Sequence, residues 1–196
     1  MSRFAPRRSG DVAKMVRQEV LALVTTHDAG GFISTPLPLF AEVDETGEVR
    51  TLIGHFAKAN PQVARVAATP RAHISFFGPH AYISPSMVSK PDWGPTWNYR
   101  LAQFEVDIML EPGNEDRAIR TLAALLEGTE EGGWTIERMG PRYADLVAHV
   151  IAFRASVVRS SARFKLGQDE SMTSFQEILA ALGDTPLSRA MLEQRN

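Results

Sequence analysis

Apolar and polar residues change period several times along the chain, and the changes mark out its elements. From Thr96 to Glu111, Phe104, Val106, Ile108 and Leu110 alternate against Glu105, Asp107 and Glu111, which predicts a strand with one buried face. β-Branched residues gather in Leu21 to Thr26. A turn at Asp28-Ala29-Gly30-Gly31 leads to a second strand, Phe32 to Val43, and a turn at Asp44 to Gly47 leads to a third, Val49 to Ile53. Three consecutive strands form a meander, the mark of an antiparallel barrel or sandwich. Further strands are predicted over Ala72 to Phe77, resuming at Ala81 to Ser84 after a Gly78-Pro79 break, and over Ile151 to Val158. Helical spacing appears in Asp11 to Leu23, with Asp11 as cap, and after Asn114, where Ala118, Ile119, Leu122, Leu125 and Leu126 recur until Gly128 to Gly133 ends the helix. Short helices are predicted at Pro141 to His149, Phe175 to Leu182 and Leu187 to Gln194. The expected architecture is mainly β with flanking helices, in one domain over residues 1–196 whose segment 170–196 is helical.

Composition narrows the function classes. The 196 residues carry 21 Lys+Arg against 23 Asp+Glu, a net charge of −2, so no global basic field exists to hold nucleic acid. The absence of Cys excludes disulfides, thiolate metal sites and Cys nucleophiles. No apolar run approaches the roughly 20 residues that span a bilayer, and Met1 to Gly10, with three Arg, does not read as a secretory signal. A soluble, cytoplasmic protein without membrane contact is expected. The five His residues form neither HExxH nor an i, i+4 pair, so no metal site is expected. Neither GxGxxG, a P-loop nor a GxSxG elbow occurs, and Ser84, Ser86 and Ser89 beside His80 read as loop hydroxyls.

The most informative stretch is Gly54 to Gln62, GHFAKANPQ. It closes a strand with His55 and Lys58, and then opens a helix with Asn60 as cap and Pro61 at the first helical position. Free N–H groups at a helix start beside a Lys make an anion site; the same residues also suit a well-capped surface helix. Trp93, Trp97, Tyr82 and Tyr99 offer flat surfaces for a planar phosphorylated cofactor, or else fill the core. Arg163 and Lys165, on one side of the extended RSSARFKLGQ run, suit either a solvated edge or a site.

GHFAKANPQ, FFGPHAYISPSMVSKPDWGPTWNY, FKLGQ and the early VTTHDAGGFISTPLPL hairpin together resemble the signature blocks of the PaiB family of FMN-binding split-barrel proteins. The resemblance implies a six-stranded, Greek-key-like split β-barrel with flanking helices. It further implies a homodimer with one FMN in each of two interface sites. His55, Ala57, Lys58 and Asn60 match the phosphate side; Thr35 and Pro36 match the strand that lines the flavin. Ser84, Ser86, Lys90, Trp97, Asn98 and Tyr99 match the loop and strand that cross the interface, and Lys165 and Gln168 match the late signature. Lys58 stands where the family usually has Arg, Met87-Val88 where it has an aromatic pair, and KLGQD where it has KLSQN. An FMN-dependent redox protein is the first function implied. The family label also implies a transcriptional regulator that binds DNA, for which this chain offers only the arm with Arg3, Arg7 and Arg8, or one that binds another protein; haem binding on the same barrel is a third reading.

Overall fold

The computed structural model describes residues 3–128 and 133–195. Seven strands, β1 (Leu21–Asp28), β2 (Gly31–Pro38), β3 (Phe40–Val43), β4 (Val49–Ala57), β5 (Arg71–Ile83), β6 (Thr96–Leu110) and β7 (Val150–Lys165), form one sheet in the order β2-β1-β5-β6-β7-β4-β3. Every pairing is antiparallel. The edge strands β2 and β3 are consecutive in the chain, with Leu39 alone between them. One residue cannot bridge the edges of a flat seven-stranded sheet, so the sheet curls until they meet, which makes a barrel. Leu39 is fully buried at that closure, and its N–H donates to the Val20 carbonyl at 2.9 Å. Val20 has φ 40°, a left-handed conformation costly for a β-branched residue; it lies at the reversal from helix to strand.

The strand predicted over Phe32 to Val43 is therefore two strands, and the split accounts for seven segments where the resemblance implies six. Helix α1 (Asp11–Glu19) ends four residues earlier than expected, because Leu21 and Leu23 already belong to β1. Asp11 does not cap it. Gly10 occupies that position, and the Asp11 carboxylate accepts hydrogen bonds from the N–H groups of Arg7 and Arg8. Strand β7 runs seven residues beyond the predicted Val158, to Lys165.

The inner face of the barrel is filled by alternate residues. Phe56 stacks on Phe153 at 4.6 Å and Phe76 meets Phe104 edge-on at 6.0 Å, all four fully buried or nearly so. Helix α2 (Gln62–Ala68) packs on β1 and β6, α3 (Glu115–Glu127) on β4 and β7, and α4 (Arg142–Ala148) on β7. Helices α5 (Met172–Leu182) and α6 (Pro186–Arg195) join the barrel core through Phe175, Ile178, Leu187 and Met191. Part of the turn expected at Gly128 to Gly133 lies outside the described residues. No helix among the described residues is long and apolar enough to cross a membrane, and no group of three His, Asp or Glu among them could hold a metal ion.

Gly54 shows why the first residue of the signature stretch is small. A Cβ there would lie 2.4 Å from Leu39 Cδ2 and 3.0 Å from the Pro38 carbonyl oxygen, at the closure of the barrel. Gly54→Ala is expected to cost roughly 1–3 kcal/mol of stability through overpacking. Urea titration measures it, and an unchanged midpoint would mean that the closure yields without cost.

Candidate functional site

The turn after β4 is closed by its own polar groups. The Lys58 N–H donates to the His149 carbonyl at 2.9 Å, and Lys58 Nζ donates to the Ala148 carbonyl at 2.8 Å, satisfying the C-terminal end of α4. Asn60 Nδ2 donates to Thr35 Oγ1 at 3.1 Å, tying the turn to β2. Pro61, rather than Asn60, is the cap residue of α2, yet the Asn60 side chain still accepts the Gln62 N–H at 2.9 Å. Val63 N–H is taken by the Asn60 carbonyl at 3.0 Å. This corrects the expected anion site: α2 has only seven residues and its first N–H groups are occupied, so an anion at this turn would be met chiefly by the Lys58 ammonium.

His55 sits on the outer face of β4, paired with Ala152. Its Nδ1 is buried and has no hydrogen-bond partner among the described residues. Burial holds its pKa below the ordinary histidine value. Nδ1 is closed off from the surface, so at this strand end it is the exposed Lys58 that suits the anionic group of a ligand such as FMN. Because the folded-state pKa lies below the unfolded value of about 6.5, the unfolded chain binds more protons just below that pH. Stability is therefore expected to fall as pH drops from 7.5 to 5.5, and His55→Gln to lose less than wild type over that interval in urea titrations. An equal loss would assign the pH dependence to other groups.

Trp97, Tyr99, Lys165 and the Ser84–Lys90 loop lie at the far end of the sheet. Trp97, 53% exposed, and Tyr99 stand on the outer face of β6, which removes the core-filling alternative. They join Phe77, His80 and Tyr82 in an aromatic patch: Phe77–His80 4.6 Å, Tyr82–Trp97 5.8 Å, His80–Trp97 6.2 Å and Phe77–Tyr99 6.3 Å. Lys165 pairs with Tyr99 across the strands and donates to Thr96 Oγ1. Ser84 and Ser86 bond each other at 2.9 Å in the loop before β6, and exposed Lys90 lies 3.7 Å from Asp92.

Three predicted residues are turned away from this patch. Asn98 is 2% exposed, between Trp97 and Tyr99 but on the inner face, and donates to Met191 Sδ at 3.6 Å. Gln168 closes its own loop by accepting the Leu166 N–H at 2.7 Å and donating to the Phe164 carbonyl. Trp93 packs on the core and donates to Glu170 at 2.8 Å, so it offers no free flat surface. Pro36 is exposed on the outer face of β2, and Ala57 is exposed at the end of β4.

The two sets of residues lie at opposite ends of β7. Ala57 pairs with Val150 and Tyr99 pairs with Lys165, fifteen residues apart, about 50 Å measured along the strand. No strand pair sets the two groups side by side within one subunit: β7 lies between β4 and β6 in the sheet.

Sequence reasoning missed the residues that hold the turn in place. Gln62 is fully buried, and its Nε2 lies within 3.0–3.1 Å of the Val24 carbonyl, Thr26 Oγ1 and the Ile33 carbonyl. Arg65 reaches Asp28 at 3.0 Å and the Gly31 carbonyl at 2.6 Å, fixing the β1–β2 hairpin to α2. Their helical spacing, i and i+3, was the available signal.

The fold has solved counterparts. A structure described as the FAD and heme binding protein from Mycobacterium smegmatis matches with a TM-score of 0.61 and 15% identity over 93% of this chain and 81% of that one. The flavocytochrome Anf3 from Azotobacter vinelandii matches with a TM-score of 0.62 and 14% identity over 82% and 69%. At such identities the likeness is one of fold. In sequence, the chain is 28% identical over 200 residues to "Protease synthase and sporulation protein PAI 2" of Bacillus subtilis (strain 168), covering 97% of this chain and 92% of the relative. The family described as "Putative FMN-binding domain" matches residues 1–159, and with most of its length so matched, the chain belongs to this PaiB-like FMN-binding family of split-barrel fold.

Proposed function

We propose that the protein is a flavin-dependent redox protein that works as a homodimer and holds one FMN in each of two equivalent sites between the subunits. The observation that carries this reading is the separation of the two half-sites along β7. A two-fold axis can bring the Lys58 turn of one subunit to the aromatic patch of the other, and it does so twice. Lys58 then meets the phosphate, with His55 beside it on the phosphate side, and Trp97 with Tyr99 of the second copy meets the flat face. Bound FMN supplies reversible electron transfer, and the protein supplies position and electrostatics. Leu23, Phe32, Phe77, Tyr82, Trp97 and Val158 are all more than 40% exposed on the subunit, an apolar surface that suits burial in a dimer.

Flavin titration with light scattering tests the reading. The expected result is a yellow dimer of 21.6 kDa subunits with micromolar or tighter FMN affinity, about 8 kcal/mol of binding free energy. The interface should bury on the order of 2,000 Å². A colourless monomer whose addition leaves flavin fluorescence unchanged refutes it.

A second reading is a regulator that acts on DNA or another protein, in keeping with a relative named for protease synthesis and sporulation rather than for a redox reaction. Against DNA contact through the N-terminal arm stand the net charge of −2 and the position of Arg7, whose guanidinium donates to the Gln194 and Arg195 carbonyls at the end of α6.

A further inference from the structure

A cleft of about 770 Å³ opens between the end of α1, the Gly78-Pro79 bulge of β5 and the start of α6. That volume falls in the usual range for small-molecule sites. Arg100 lines it and is 6% exposed. Its hydrogen bonds to Gln18 Oε1 and Glu19 Oε1, 3.1 Å each, both leave Nη2, whereas Nε is buried with no partner among the described residues. A guanidinium carries five donors, and burying one unpaired is costly. The sequence makes room for this side chain. A Cβ on Gly78 would lie 3.1 Å from Glu19 Oε1 and 3.2 Å from Arg100 Cβ, and the ladder between β5 and β6 shifts register there.

A second positive element faces the same space. Thr185, Pro186 and Leu187 line the cleft at the start of α6, a helix of ten residues. The Thr185 hydroxyl already caps Ser188 N–H at 3.1 Å, while Leu187 N–H belongs to the first turn, where no intrahelical carbonyl is available. Arg189, more than half exposed, donates from Nη1 to Asp184 at 2.6 Å and keeps further guanidinium donors for a ligand. Phe77, Pro79 and Leu182 contribute apolar wall. Glu19 and Glu193 also line the cleft, so a dianion would be repelled where a monoanion is tolerated.

We infer that this cleft binds a small organic monocarboxylate with a flat apolar body, its carboxylate at Arg100, Arg189 and the start of α6 and its body on Phe77, Pro79 and Leu182. All these residues come from one subunit and none belongs to the β4 turn; Phe77 is shared with the aromatic patch, so the cleft adjoins the proposed flavin face, and titrating both flavin-free and FMN-loaded protein separates the two sites.

Indole-3-acetate serves as the probe, titrated calorimetrically into flavin-free and FMN-loaded protein, with neutral indole-3-acetamide as the control. The expected result is saturable binding below about 1 mM in both forms, and roughly tenfold weaker binding of the amide. Arg100→Gln is expected to weaken indole-3-acetate about tenfold and Arg189→Glu, an exposed substitution, about threefold or more. Should Arg100→Gln fail to fold, Arg189→Glu decides. Absence of saturable binding up to about 10 mM, equal affinity for acid and amide, indifference to both substitutions, or displacement of the probe by FMN each overturns the inference.

Discussion

Lys58→Ala is expected to weaken FMN binding roughly 10- to 150-fold and to leave riboflavin binding nearly unchanged. Removing one charge-assisted contact to a phosphate costs roughly 1.5–3 kcal/mol, and 1.4 kcal/mol is a factor of ten. The structure concentrates this effect on the ammonium. Asn60 already occupies the N–H groups of Gln62 and Val63, so the helix start has little left to donate. Nζ spends one of its three hydrogens on the Ala148 carbonyl and keeps two for a ligand. Loss of that carbonyl contact could loosen α4, but such loosening acts on FMN and riboflavin alike. Fluorescence titrations with both flavins therefore separate the outcomes. Equal losses would assign Lys58 a structural role at α4, and no loss for either flavin would move the phosphate elsewhere, Lys165 being the next cation to test.

How much of this was readable depended on whether the deciding contact was local. The alternation in β6, the hairpin turns and the polar closure at Asn60 are properties of neighbouring residues, and they appear in the structure within a residue or two. The break at Leu39 had a local signal in Pro36 and Pro38, which interrupt a strand run; what the pattern does not show is that closure of the barrel makes the chain pass there from one sheet edge to the other. The length of β7 was hidden for another reason. Beyond Ser156 it pairs with β6 alone, and Val158 to Ser161 are all exposed, so one-sided burial no longer imprints a period on the sequence. A period of two places Trp97 and Tyr99 on one face and Asn98 on the other, but it does not say which face is inside. The buried Arg100 finds Glu19 across 81 positions, a pairing no local pattern announces.

A mixture of two inactive variants is expected to recover part of the tight FMN binding that each lacks. Trp97→Glu alters an exposed side chain, so the fold should tolerate it; the lost stacking and the carboxylate placed against the flavin are expected to weaken FMN on the order of a hundredfold. Lys58→Ala weakens it at the other end. If each site draws Lys58 from one subunit and Trp97 from the other, both sites of either variant homodimer are defective. Subunits unfolded together and refolded at equal amounts give heterodimers as about half of all dimers. In each heterodimer, one site takes Lys58 from the Trp97→Glu chain and Trp97 from the Lys58→Ala chain, and so is intact; the opposite site lacks both. About a quarter of all sites should then bind with wild-type affinity, visible as a separate tight phase in flavin fluorescence quenching. If both residues served a flavin within the same chain, every site in every dimer would lack one of them and no tight phase would appear. The fifteen residues of β7 between the Lys58 turn and the aromatic patch argue for the first outcome, because a defect at one end can be compensated only by the intact end of a different chain.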